Sequence, residues 1–250
     1  MYTMIFDTET TSLDKPFCYN VGYVIWDTDT DTVVMEKDFV CEQVWHNPML
    51  FTTAYYANKR DIYVKRMRAK TTILKKFGYI CQEMIRDIKN YGIEYAYAFN
   101  SPFDDKVFSF NCDWFKCNNP FDNIKILDIR GFAHKEICQR DDYKEFCERY
   151  ERFTESGNYS TTAETIYQYL WNEPTFEEEH TALADSQIEQ FILGVCMRGG
   201  LDITEDIKPL RAITRPQKKT LTVKTKTETL LEIECESYRV MKSNNTIIVR

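Results

Sequence analysis

No apolar run in the 250 residues approaches the roughly 18 that a membrane-spanning helix needs. The amino-terminal segment Met1-Tyr2-Thr3-Met4-Ile5-Phe6-Asp7 has no basic stretch ahead of its apolar residues, so it reads as a strand rather than an export signal. No Cys-x-x-Cys pair occurs. The nine cysteines are an odd number, and the nearest two, Cys112 and Cys117, have four residues between them. Reduced, mostly buried thiols in a cytoplasmic protein are therefore expected, not a disulfide framework. The three histidines, His46, His134 and His180, are too few for zinc sites built from cysteine and histidine. No internal repeat is visible.

What is present is ordinary globular material: 43% hydrophobic and 28% charged residues, in a length that buries a sizeable core without staples. The net charge of −7 is unevenly placed. Residues 208–250 carry a net +6, and the rest carries −13. An acidic body with a basic tail poses two questions, namely what needs the carboxylates and what the tail touches.

Alternation and turn residues predict three antiparallel strands at 2–7, 19–26 and 32–40, joined at the second turn by Asp27-Thr28-Asp29-Thr30-Asp31. Helices are expected at 44–57 and 71–90, the second closed by Gly92. Strands follow at 94–99 and 124–129, with a short helix opening at Pro102 between them. Further helices are expected at 133–153, 161–170 and 181–198. Ser160 is a candidate cap for the helix at 161–170, with Thr161 and Glu164 as a capping-box alternative. The order predicts an α/β fold in which a mixed sheet is flanked by helices. The expected division is a main domain at 1–200, a linker at 201–218 and a small basic β appendage at 219–250, with a hairpin turn at Lys242-Ser243-Asn244-Asn245.

Asp7 and Glu9 project to one side of the first strand, where two adjacent carboxylates repel unless a cation lies between them. An Asp-x-Glu pair alone is a weak signal and fits a surface turn better. Asp104 follows another apolar strand, although a helix amino terminus would also favour a carboxylate there. Asp185 is the informative member. It borders an expected apolar stripe of Ala184, Ile188, Phe191, Ile192 and Val195, where an acid needs a cation or strong hydrogen bonds. His180, five residues earlier, is placed in the approach to that helix.

Asp7-Thr8-Glu9-Thr10-Thr11, Asn100-x-x-Phe103-Asp104 and His180-Thr181-Ala182-Leu183-Ala184-Asp185 resemble the three motifs of the DEDDh 3′→5′ exonucleases, in order and across most of the chain. The resemblance implies a ribonuclease H-like fold and two Mg²⁺ or Mn²⁺ ions held by Asp7, Glu9, Asp104 and Asp185. It implies His180 as general base, with Glu9 helping to orient the attacking water. It also places Thr10 at the terminal ribose, Leu13 as a wedge on the terminal base, and Asn100 and Phe103 in the pocket wall. The chain departs from the family at Ser12, where glycine is common, and at Val107, where phenylalanine is common. The stretch 134–179 is longer than compact members need.

The substrate so implied is the 3′ end of single-stranded nucleic acid, DNA slightly favoured over RNA. Two basic segments are candidate tracks for it. One is 55–70, with Lys59, Arg60, Lys65, Arg66, Arg68 and Lys70 among Tyr55, Tyr56 and Tyr63; the other is the tail. A polymerase or a second copy of the chain is the protein partner the resemblance allows. The competing reading is a non-catalytic nucleic-acid-binding or polymerase-accessory module on the same fold, against which the intact acidic set argues.

Overall fold

The computed structural model describes residues 1–54 and 57–216, together with the backbone of four strands in the carboxy-terminal tail. Six strands form the central sheet, in the order β4-β3-β2-β1-β5-β6. β1 (Tyr2–Thr10), β2 (Cys18–Asp27) and β3 (Thr32–Cys41) make the antiparallel meander. β5 (Tyr95–Ala98) pairs in parallel with β1, and β6 (Lys125–Asp128) with β5. β4 (Ile73–Lys75) pairs in parallel with β3. This is the expected mixed α/β sheet. β1 runs three residues beyond the predicted end, so Asp7, Thr8 and Glu9 all lie within a paired strand.

Helices cover both faces. One face packs α4 (Phe77–Tyr91) and α5 (Ser101–Phe115) over Phe6, Phe39, Phe77, Met84 and Phe108. The other packs α6 (Ile129–Ala133), the π-helical turn at 134–138, α7 (Asp141–Arg149), α8 (Ala163–Trp171) and α9 (Ala182–Arg198) around Trp26, Tyr97, Phe132 and Leu193.

Several local expectations need correction. The helix expected at 44–57 is split into α1 (Glu42–Trp45) and α2 (Pro48–Phe51), because Pro48 cannot continue a helix from α1. Asn47 instead starts a new one, its side chain accepting from the Met49 and Leu50 N–H groups. The helix expected from 71 begins at Phe77, since Ile73 and Leu74 extend the sheet. Its carboxy-terminal stop is as expected, with Gly92 left-handed at φ 60°. Helix α3 (Arg60–Ala69) has a charged sequence that gave no apolar period to read. α8 is capped by Thr162, not by Ser160 or Thr161. The stretch 201–216 is no free linker. Tyr97 donates its hydroxyl to the Ile203 carbonyl, Ile203 and Ile213 are buried, and Arg215 pairs with Glu148 at 2.6 Å. Beyond it, β7 (Lys219–Lys224) pairs with β8 (Thr229–Cys235), and β9 (Val240–Ser243) with β10 (Thr246–Val249), both antiparallel. Tyr55, Tyr56, Lys218, the turn at Asn244-Asn245 and the side chains of the tail lie outside the described residues.

The placement of α9 depends on one close approach. A Cβ built on Gly22 of β2 would stand 2.1 Å from the Leu183 backbone nitrogen and 2.2 Å from the Ala182 carbonyl carbon. Only glycine lets the first turn of α9 lie directly on the strand. Ser186 donates to the Gly22 carbonyl at 3.1 Å, and Asn20 accepts the Ala182 N–H at 2.8 Å, so the helix start is fastened on both sides of that glycine. Gly22→Ala must push backbone against backbone. The expected cost is about 1–3 kcal/mol or more of overpacking, read as a lower Tm in a thermal melt, together with loss of whatever activity depends on Asp185. A variant with wild-type Tm would show that the helix start is free to move.

Candidate active site

The carboxyl end of β1, the first turn of α5 and the first turn of α9 meet at one edge of the sheet. Asp7 and Glu9 come from the same face of β1, and Asp185 comes from the second residue pair of α9. Carboxylate oxygens of these three lie within 4.8 Å of one another. Asp104, in the first turn of α5, sits beside them and accepts a hydrogen bond from the Thr8 hydroxyl at 2.6 Å. Three of the four sequence-predicted acids thus lie together, and Asp104 is near enough for Asp7 to act on it electrostatically. Glu9 is further fixed by the Tyr19 hydroxyl at 3.3 Å.

Crowding and burial push these groups away from their ionised forms. Burial raises Asp7 to about 7. Burial, then Asp7 and Glu178, raise Asp185 to about 9. Glu9 is raised well above the usual range by burial and by Asp7 and Asp185, and Asp104 by burial and by Asp7. Lys59 pulls Glu9 and Asp185 back toward ionisation. The Asp185 Oδ1 atom is buried with no hydrogen-bond partner among the described residues. Oxygen donors that repel each other and include an orphan atom suit a hard divalent cation, so this set fits Mg²⁺ or Mn²⁺.

His180 precedes the amino-terminal cap of α9 and holds a left-handed backbone at φ 53°, uncommon for a non-glycine residue. It is not loose. Its Nδ1 lies 3.6 Å from Glu178, and His180, Glu178 and Glu164 of α8 bring one atom each within 4.8 Å of one another. Burial and the nearby Lys59 lower its pKa, while Glu164 raises it. Burial, with Glu164 and Asp7, lifts Glu178 to about 7. The extra length at 134–179 therefore delivers two acids to the histidine. Sequence reasoning assigned neither to the site, because Glu164 was read as part of a capping box and Glu178 lies within a run of three acids.

Lys59 and Arg66, from the basic segment 55–70, brace the approach to His180. Lys59 donates to the Glu179 carbonyl, and Arg66 bonds Glu179 at 2.7 Å and the Thr181 hydroxyl at 3.0 Å. Arg66 also lies 3.5 Å from buried Asp38. At least one cation of the expected track thus has a structural task.

Beside Glu9 a cleft of about 460 Å³ is lined by Thr8, Glu9, Thr10, Thr11, Ser12, Leu13, Thr53 and Phe103. Leu13 is 73% exposed at its rim, and its carbonyl is held by Lys106. Thr10, Leu13 and Phe103 are therefore assembled in one cleft, which also gains Thr53. Asn100 is not in it. Asn100 is exposed, left-handed at φ 65°, and bonded to Arg130 and Asp128. Val107 is fully buried in the core, a packing role, and Ser12 folds back onto the Lys15 carbonyl.

Solved structures share this architecture. The fold is that of the DEDDh 3′-exonucleases. A 3′-exonuclease described by its 3′-end-specific recognition of the histone mRNA stem-loop aligns with a TM-score of 0.54 at 13% identity, over 86% of this chain and 98% of that one. The nuclease domain of 3′hExo, a DEDDh family member, bound to rAMP, aligns with a TM-score of 0.51 at 15% identity, over 82% and 96%. Cell-death related nuclease 4 (CRN-4) aligns with a TM-score of 0.51 at 15% identity, over 80% of this chain and 64% of that one. No protein-family model matches the sequence, and no curated protein does.

The raised carboxyls make a stability prediction. A group whose folded pKa exceeds its unfolded value binds protons preferentially in the folded state, so its contribution is present at low pH and is lost as pH rises through the folded pKa. For Asp7 and Asp185 the window runs from about 4 to about 7 and about 9 respectively. Metal-free protein should therefore lose Tm across that window. Added Mg²⁺ or Mn²⁺ should raise Tm, and more so at the alkaline end. A melt series that is flat in pH and insensitive to either cation would contradict the site.

Proposed function

We propose that the chain is a divalent-metal-dependent 3′→5′ exonuclease acting on single-stranded nucleic acid ends. The observation that carries this reading is the convergence of Asp7, Glu9 and Asp185 beside an open cleft, with Asp104 in reach of Asp7 and with His180 held by Glu178, which Asp7 also affects. Asp7, Glu9, Asp104 and Asp185 would hold two Mg²⁺ or Mn²⁺ ions. When bound, such ions polarise the phosphodiester and ease both the attack of water and the departure of the 3′ oxygen.

The chain's own groups then do the following. The cleft along Thr10, Leu13 and Phe103 receives the terminal nucleotide, with Leu13 and Phe103 offering apolar surface to any base. His180, held neutral near neutral pH by its lowered pKa, takes the proton from the attacking water. Glu164 and Glu178 lie close enough to stabilise the imidazolium that results. Glu9 helps to aim the water. The 3′-exonuclease and 3′hExo structures of like fold lend support, one in its recognition of an RNA 3′ end and the other in its bound rAMP.

The test is digestion of matched single-stranded DNA and RNA oligonucleotides labelled at the 5′ end. Progressive shortening from the 3′ end in Mg²⁺ or Mn²⁺, abolished by a chelator, is expected. Faster shortening of DNA upholds the preference set out from the sequence, and faster shortening of RNA reverses it. Asp7→Asn, Asp104→Asn and Asp185→Asn should each abolish shortening in folded protein. Two such variants with wild-type turnover would refute the assignment and favour a binding module.

His180→Ala should lose roughly 10²–10⁴-fold in rate while still binding substrate. The acid limb of the wild-type pH–rate profile should vanish in that variant. An unchanged limb would assign the proton transfer elsewhere.

For the tail, truncation should begin at 217, because residues 201–216 pack on the body. If its lysines meet phosphates, truncation should flatten the dependence of log affinity on log salt by about 0.7 per lost contact on a single strand. An unchanged slope would remove the tail from the substrate path.

A further inference from the structure

One buried acid near this site was outside the sequence-based set. The deepest line of α9 is Ala182, Ser186, Glu189, Leu193 and Cys196, all buried and spaced four, three, four and three residues apart. Every other member is small or apolar. Glu189 occupies the middle of the line at 3% exposure, one helical turn beyond Asp185 and on the same side. Its Oε2 atom is buried with no hydrogen-bond partner among the described residues.

Elsewhere the chain satisfies its buried acids. Asp38 takes the Asn20 amide at 2.6 Å, the Thr72 hydroxyl and, at 3.5 Å, Arg66. Asp87 takes the Tyr23 hydroxyl at 2.7 Å and Lys37 at 2.5 Å. Glu189 has no such cation among the described residues. Burial and the charges of Asp7, Asp104 and Asp185, all of its own sign, push Glu189 away from its ionised form, while the Phe99 backbone N–H favours it. Phe99 directly precedes the Asn100–Asp104 motif, so Glu189 meets the chain where β5 leads into α5.

An apolar side chain at this position would carry no charge to desolvate, whereas a buried carboxyl group with an orphan oxygen, in the field of three other acids, is expensive unless positive charge arrives. We propose that Glu189 is a fifth carboxylate of the divalent-cation site, forming its protein-side floor behind Asp104 and Asp185. The inference rests on the exonuclease reading's cation site and extends it, since the three sequence motifs account for four acids only. Glu189 supplies charge to the bound cations from the core side, where water cannot, and so tightens their binding.

The experiment is calorimetric titration of Mn²⁺ alone, without nucleic acid, into wild type, Glu189→Gln and Glu189→Met. The first variant keeps shape and hydrogen-bonding capacity without the charge. The second keeps length in an apolar side chain, and it decides the question should the first fold poorly. Both should bind Mn²⁺ roughly 10–100-fold more weakly than wild type. Their metal-free Tm should equal or exceed that of wild type, because a buried repulsion has been removed. Wild-type Mn²⁺ affinity in the variants would overturn the role of Glu189 and leave the four-acid site standing. Absence of Mn²⁺ uptake by wild type itself would overturn both.

Discussion

Mutual repulsion among buried carboxyl groups is the constraint around which this end of the molecule is arranged. Asp7, Glu9, Asp104 and Asp185 all have pKa values raised by burial, and each except Asp104 has another of the set within a few ångströms. A fold gains nothing in stability from such a cluster. It is tolerated because three separate elements are anchored firmly enough elsewhere that the acids cannot drift apart.

The anchors are polar and specific. Asn20 gathers Asp38, the Phe39 carbonyl, the Tyr63 hydroxyl and the first N–H of α9 around one buried amide. Arg66 ties α3 to Asp38 on β3 and to Thr181 and Glu179 at the entry of α9. Gly22 permits the contact on which both depend. Asn111 of α5 clasps the Pro16 carbonyl and the Cys18 N–H, which fixes the loop carrying Leu13. Packing of the two aromatic-rich cores supplies the bulk of the stability, and this network supplies the register of the site.

The antiparallel meander and the mixed α/β class were legible in the sequence for physical reasons, and so was the grouping of Asp7, Glu9 and Asp185. β1, β2 and β3 are long, β-rich runs with clear turns, and Asp185 is conspicuous beside Ile188 and Ile192. Less was legible where chemistry overrode pattern. Ile73 and Leu74 fit a helical period yet join β3, because an edge of the sheet was open to them. The expected apolar stripe of α9 holds at Ile188 and Ile192, which are buried, but Ala184, Phe191 and Val195 are only half-buried, and the deeper line through Ser186 and Glu189 was not read. Glu164 and Glu178 were hidden because their meeting with His180 depends on the path of a long connection that no local period encodes. Asn100 was assigned from its motif position, and it accepts a hydrogen bond from Arg130 with a left-handed backbone.

The account stands on the acidic edge of β1, α5 and α9 being a binding site for divalent cations. Its most direct test is a crystal structure of the chain soaked in Mn²⁺, phased to reveal the anomalous signal of the metal. The account predicts anomalous peaks at ordinary oxygen-ligand distances of about 2.0–2.2 Å from carboxylates of Asp7, Glu9 and Asp185, lost on Asp185→Asn. No peak at that edge in crystals of wild type at saturating Mn²⁺, with the carboxyl groups instead bonded to one another through protons, would contradict it.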